Sequence, residues 1–180
     1  FYTNGELAYV TGMPDVMHGV IGDYVLVNGA VEPFVEVPSG LTRFRILNGS
    51  DSPIHRYRMD GGLPFTQIAS DGGFLENPIE LENLVLSPGE RGEVLLDFSS
   101  LAEGGELFLE TDQYSGSSFR TLKFVVTDGV ATAAAVPAKL NTIVPMGEEE
   151  ADRTRTFTME TGGMGSFSIN GRTMDMDRID

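Results

Sequence analysis

Leu41-Thr42-Arg43-Phe44-Arg45-Ile46-Leu47 is the stretch on which the fold turns. Phe44 and Ile46 alternate with Arg43 and Arg45, which puts apolar groups on one face of an extended chain and guanidinium groups on the other. Period-two alternation of this kind marks a strand with one buried face. Ile54 to Met59 repeats it, with His55, Tyr57 and Met59 sharing a face opposite Arg56 and Arg58.

Further strands follow outward from these two. Tyr24 to Val27 runs into Asn28-Gly29, a strong hairpin signal because both residues tolerate positive φ. Val31 to Val37 is a β-rich run closed by Pro38-Ser39-Gly40, and Asp71-Gly72-Gly73 reads as a tight turn between Phe65–Ala69 and Phe74-Leu75. Ile79 to Leu86, Val94 to Phe98, Leu107 to Glu110 and Leu122 to Thr127 complete the set. The leucines and valines at 84–86 and 94–96 mimic helical spacing, but Pro88-Gly89 lies between them and makes two strands and a turn the better reading. Glycine (22) and proline (nine) punctuate the whole chain, and no long helix is predicted. About eight or nine short strands with alternating burial predict an all-β fold, a two-sheet sandwich or barrel.

Composition narrows the function. The chain has 180 residues, 41% of them hydrophobic, enough for a buried core and too evenly spread for a transmembrane helix. Twelve basic against 27 acidic residues leave a net charge of −15. That charge repels phosphate backbones and anionic lipid, so no nucleic-acid partner and no membrane insertion are expected. Cysteine is absent, which removes disulfides, thiolate metal sites and cysteine nucleophiles. The chain opens at Phe1 rather than Met and shows no charged segment followed by an apolar one, so a signal peptide is not expected. The expectation is a processed chain or a piece excised from a longer one.

After Asp128 the composition shifts. Residues 129–152 carry an Ala/Val-rich run, Pro137, Pro145 and the acidic Glu148-Glu149-Glu150, and read as an exposed linker. Arg155 to Met159 and Phe167 to Ile169 again read as strands. A lone strand pair is marginal in water, so residues 153–180 either begin a second domain or pack back on the sandwich as an extra hairpin.

Candidate chemistry is sparse. The histidines are His18 and His55, without paired-histidine spacing. Met13, Met17 and His18 form a compact soft-ligand set suited to Cu(I), and they are the weak metal candidates. Packing of loop methionines is the simpler account of them, as it is for Met159, Met164, Met174 and Met176. His55, beside Tyr57 and Met59, reads as a satisfied, partly buried histidine. No carboxylate pair, serine elbow or phosphate-binding glycine loop stands out. Neither a catalytic nor a cofactor-binding residue is assigned.

The order of motifs adds a family resemblance. Gly22-Asp23-Tyr24-Val25-Leu26-Val27-Asn28-Gly29 resembles the G-D-x-x-L-V-N-G of the middle cupredoxin domain in three-domain multicopper oxidases, and Phe1 to Tyr9 is similar to the segment before it. Arg43-Phe44-Arg45-Ile46-Leu47-Asn48-Gly49-Ser50 resembles R-x-R-x-L-N-x-S. Ile68 to Leu75, with Pro78, resembles I-x-x-D-G-G-x-L-x-x-P. Leu86 to Arg91 and Glu93 to Phe98 resemble L-x-P-G-E-R-x-[DE]-V-L-x-D-F. Phe167 to Gly171 and Met174 to Met176 are similar to the start of the third domain. Each motif is weak alone; in the family's order over nearly the whole chain they are specific. The bacterial laccase and cuprous oxidase branch is the most similar.

The resemblance implies a cupredoxin-like Greek-key β-sandwich. It implies a copper-free middle domain at 1–128, a linker at 129–152 and the first strands of the following cupredoxin domain at 153–180. The parent would be an enzyme that oxidises phenols or metal ions one electron at a time and reduces dioxygen to water. Copper would belong to that parent and none to this fragment, because the family's H-x-H, H-P-x-H-x-H and H-C-H ligand motifs are absent here. The fragment alone would be inactive and would position its partners, the flanking cupredoxin domains of the same chain. A periplasmic or extracellular location is implied likewise. The alternative is a domain of a copper-free, multicopper-oxidase-like envelope scaffold or cell-division protein. A third reading is an unrelated secreted sandwich for binding or adhesion. An excised domain exposes surfaces that normally meet neighbours and is expected to self-associate. Arg43, Arg45 and Arg91 either pair across a domain boundary or are solvated or locally paired.

Overall fold

The computed structural model describes residues 4, 6, 12, 13, 19–113, 118–131, 135–163 and 166–173. Leu26–Val27 (β1) and Ala30–Val31 (β2) form a small hairpin. Its tip is Asn28 at φ 50° and Gly29 at φ 84°, the left-handed pair that a two-residue hairpin loop requires. Phe34–Ser39 (β3), Leu41–Leu47 (β4), His55–Met59 (β5), Phe65–Ser70 (β6), Gly73–Leu81 (β7), Leu84–Leu86 (β8), Arg91–Asp97 (β9), Glu106–Gln113 (β10) and Ser118–Val130 (β11) build two sheets. One has the order β3-β11-β10-β5-β8 and the other β4-β9-β6-β7. Neighbours are antiparallel except β3 and β11, which run parallel from Phe34↔Lys123 to Ser39↔Val130. The result is the all-β, cupredoxin-like Greek-key sandwich that the sequence predicts.

The chain changes sheet where its turn chemistry demands it. Between β3 and β4 it crosses at Gly40, whose φ of 112° is open to glycine alone at low strain. Between β8 and β9 it crosses at Ser87-Pro88-Gly89-Glu90. There Glu90 N–H donates to Ser87 C=O at 3.0 Å and Gly89 takes φ 84°, the proline-glycine turn of type II.

Alternation delivers the core. His55, Tyr57 and Met59 point inward from β5, and Phe44 and Ile46 from β4, while the intervening arginines face out. Phe65, Val94, Leu96 and Phe98 meet Leu84, Leu86, Leu109, Phe124 and Val126 across the sandwich. Phe44, Phe98 and Phe124 form an aromatic knot at its centre, with centroid separations of 5.2–6.3 Å. Burying each such ring contributes about 1.5–3 kcal/mol.

Three strand boundaries differ from the sequence reading. Ile79 to Leu86 is not one strand: β7 ends at Leu81, and polar Glu82-Asn83 carries the chain over to β8 in the other sheet. Val31 to Val37 is broken at Glu32 (φ 44°) and Pro33, which lacks the N–H a ladder needs. The strand expected at Arg155 to Met159 begins only at Met159.

Residues 129–152 divide in two. β11 runs to Val130, and Ala131 N–H donates to Ser39 C=O at 2.7 Å. Leu140 N–H then donates to Glu76 C=O at 2.7 Å, and Ile143 N–H reaches the Glu76 carboxylate at 3.4 Å. The compact units separate between Ile143 and Val144. In the second unit, Met159–Thr161 (β12) pairs antiparallel with Phe167–Ile169 (β13). Phe157, Met159, Phe167 and Ile169 are all exposed.

Candidate functional site

The five-stranded sheet places His55 and Tyr57 on the inner face of β5 and Thr111 on the inner face of β10. His55 Nδ1 lies 3.1 Å from Thr111 Oγ1, and the imidazole stacks on the Tyr57 ring at 5.5 Å with 21° between planes. All three side chains are buried. Burial pushes the His55 pKa below its usual 6.5 and the Tyr57 phenol up to about 12. Both groups are therefore neutral near pH 7. They line a cleft of ≈ 840 Å³ between the two sheets and the β1–β2 hairpin, whose other walls include Phe34, Phe44, Ile46 and Leu109. The sequence reads His55 as partly buried; the structure buries it almost completely, at 4% exposure.

These residues do not fit a copper centre. Such a centre draws on several imidazoles or on thiolate. Here a single imidazole is bonded to Thr111 among apolar walls. Among the described residues, no three His, Cys, Asp or Glu side chains converge on a metal position. Of the soft-ligand set, Met13 is described and is 76% exposed, whereas Met17 and His18 lie outside the described residues. Met164, Met174 and Met176 also lie outside them, and Met159 is exposed on β12.

Asn48 forms a second polar node that sequence reasoning missed. It is 1% exposed. Its Nδ2 donates to Pro53 C=O and Leu86 C=O, both at 2.9 Å. Its Oδ1 accepts from Ser50 N–H at 3.1 Å and from the Ser50 hydroxyl at 2.6 Å. Its backbone bonds to Glu90 C=O and Gly89 N–H. The side chain thus ties the end of β4 to β8, and the backbone of the same residue ties it to the turn before β9. The available signal was the pairing of Asn48 with Ser50 in the R-x-R-x-L-N-x-S stretch.

The outward arginines are paired locally. Arg43 and Arg45 both reach Glu93 on the adjacent β9, and Arg91 reaches Asp71 at 3.0 Å. On the five-stranded sheet, Arg56 and Arg58 share Asp112 at 2.7 and 2.5 Å, Arg58 also holds Glu110 at 2.8 Å, and Arg120 approaches Glu110 at 3.6 Å. The Arg58 and Arg56 guanidinium groups hold the Asp112 carboxyl well below the usual carboxylate range. Hydrogen bonding from Arg43 likewise lowers Glu93. Each exposed pair contributes about 0–1 kcal/mol.

No family model matches the chain. Among curated proteins it is similar to the cell division protein FtsP of Yersinia pestis, 34% identical over 182 residues covering 93% of this chain and 37% of that protein. FtsP of Escherichia coli K12 is 45% identical over 82 residues, covering 46% of this chain and 17% of that protein. The chain thus spans well under half the length of the curated relatives it matches. Among solved structures it is similar to the laccase-like multi-copper oxidase CueO of Ochrobactrum sp., with a TM-score of 0.82 and 34% identity, covering 96% of this chain and 42% of that one. The multicopper oxidase McoA of Aquifex aeolicus gives a TM-score of 0.76 at 29% identity, covering 86% and 35%. Two sheets, a parallel β3–β11 pair and these likenesses define a cupredoxin-like domain. In fold and sequence the chain is similar to the cupredoxin-like domain of a multicopper oxidase.

Proposed function

We propose that this chain is a structural domain of a multicopper-oxidase-like envelope protein that serves in cell division and works without copper. The carrying observation is the 34% identity to a cell division protein over 93% of the chain. The chemistry of the domain supports it. His55 is buried and bonded to Thr111, and the outward arginines pair with carboxylates of their own sheet. Such a domain supplies rigid surfaces rather than a reaction. Residues 1–128 serve as the middle cupredoxin domain, and 153–180 open the next one. The flanking domains of the same chain are its partners, and the periplasm or the extracellular space is its location.

A second reading rests on the likeness to the laccase-like oxidase, also 34% identical. In it the parent oxidises phenols or metal ions with dioxygen, and this domain remains the inactive spacer between copper-bearing neighbours. Copper analysis and oxygen uptake on the complete parent protein, prepared with copper supplied, separate the two. The scaffold reading predicts no stoichiometric copper and no oxygen uptake with a phenol or Cu(I) as donor. Stoichiometric copper together with turnover would overturn it in favour of the oxidase.

A further inference from the structure

We infer that Asn28 is a site of spontaneous covalent modification, converting through a succinimide to aspartate and isoaspartate. The Asn-Gly sequence occurs at Asn4, Asn28, Asn48 and Asn170. Gly5 lies outside the described residues, so the comparison is among the other three. A glycine on the C-terminal side favours the reaction because no Cβ hinders approach of its amide nitrogen to the asparagine Cγ.

The three sites differ in what holds the amide. Asn48 is buried, and its amide makes four hydrogen bonds. Asn170 accepts from Thr158 N–H at 2.8 Å and donates to Thr156 C=O at 3.3 Å. Asn28 is exposed, and its amide has no hydrogen-bond partner among the described residues. The Gly29 N–H is likewise unpaired among them, and open space surrounds the Gly29 Cα. The hairpin around this tip has only the pairs Leu26↔Val31 and Val27↔Ala30, so opening it to the reactive geometry disrupts little.

The reaction balances without a further reagent. The Gly29 nitrogen gives up its proton and bonds to Asn28 Cγ, the Cγ–Nδ2 bond breaks, and ammonia leaves. Water then opens the ring at either carbonyl, leaving aspartate or isoaspartate at position 28. Each product adds a negative charge to the hairpin that walls the cleft. The isoaspartate also inserts a methylene into the backbone and breaks the match between turn and strand register.

Incubation of the 180-residue chain in warm, mildly alkaline buffer, followed by peptide mapping and ammonia assay, tests this. Asn28 is expected to convert faster than Asn48 by about tenfold or more, because buried hydrogen bonds must break first at Asn48. Asn28 is also expected to lead Asn170. Asn28→Asp retains a favoured Asp-Gly turn and should abolish the corresponding ammonia release. Conversion of Asn48 or Asn170 at the same rate as Asn28, or unchanged ammonia release from Asn28→Asp, would overturn the assignment.

Discussion

His55 on β5 and Thr111 on β10 hold each other inside the sandwich, with 3.1 Å between Nδ1 and Oγ1. The contact lies diagonally across a strand pair, since Thr111 is directly opposite Tyr57 and His55 is opposite Gln113. Burial lowers the imidazole pKa below 6.5, so the folded state prefers neutral His55. The unfolded chain takes up the proton at the ordinary value. The contribution of His55 is therefore fully present above about pH 6.5 and is lost as pH falls from there toward the lower folded value. Urea midpoints measured through that window should decline less for His55→Gln than for the natural chain. An equal decline in both would contradict the assignment.

Tyr57 governs the opposite limb. Its folded pKa is pushed up to about 12 from 10.0 by burial. Stability from the protonated phenol is present below pH 10 and is lost as pH rises between 10 and about 12. Tyr57→Phe should remove that part of the alkaline decline. Phenolate absorbance should also show one fewer late-titrating tyrosine in the variant.

Asn48 is the most demanding polar position. Asn48→Ala strands Leu86 C=O in the interior and unties β4 from β8, at a cost of about 3 kcal/mol. Equilibrium urea unfolding measures it. A loss below about 1 kcal/mol would mean that water replaces the node at little penalty.

Period-two alternation made the two strands that decide the fold legible. Phe44 and Ile46 against Arg43 and Arg45, and His55 and Tyr57 against Arg56 and Arg58, lie on the faces their spacing predicts. Asn28-Gly29 and Asp71-Gly72-Gly73 were legible because positive φ, seen at Asn28, Gly29 and Gly73, is a local property. Sheet switching was not. The apolar pattern of Ile79 to Leu86 continues across Glu82-Asn83, and nothing local tells that β8 leaves for the other sheet. The His55–Thr111 contact was equally hidden, because it joins residues 56 positions apart that only the sheet order brings together. Local pairing of Arg43, Arg45 and Arg91 depended on register in the same way, through the facing of Arg45 and Glu93.

Phe34, Phe74 and Val85 are 65%, 46% and 54% exposed on the first unit. Apolar groups of this size in open water favour association. Light scattering on the 180-residue chain should show its apparent mass rising with concentration. A constant monomer mass over the whole range would contradict the expectation that these surfaces meet neighbours.

The domain is built for packing and, on this account, holds no copper. Equilibrating the 180-residue chain with Cu(I) and with Cu(II), removing the unbound metal and recording copper content and visible absorption tests this most directly. The account predicts less than stoichiometric copper and no blue absorption band. One tightly held copper per chain, with or without that band, would contradict it and return attention to Met13, Met17 and His18.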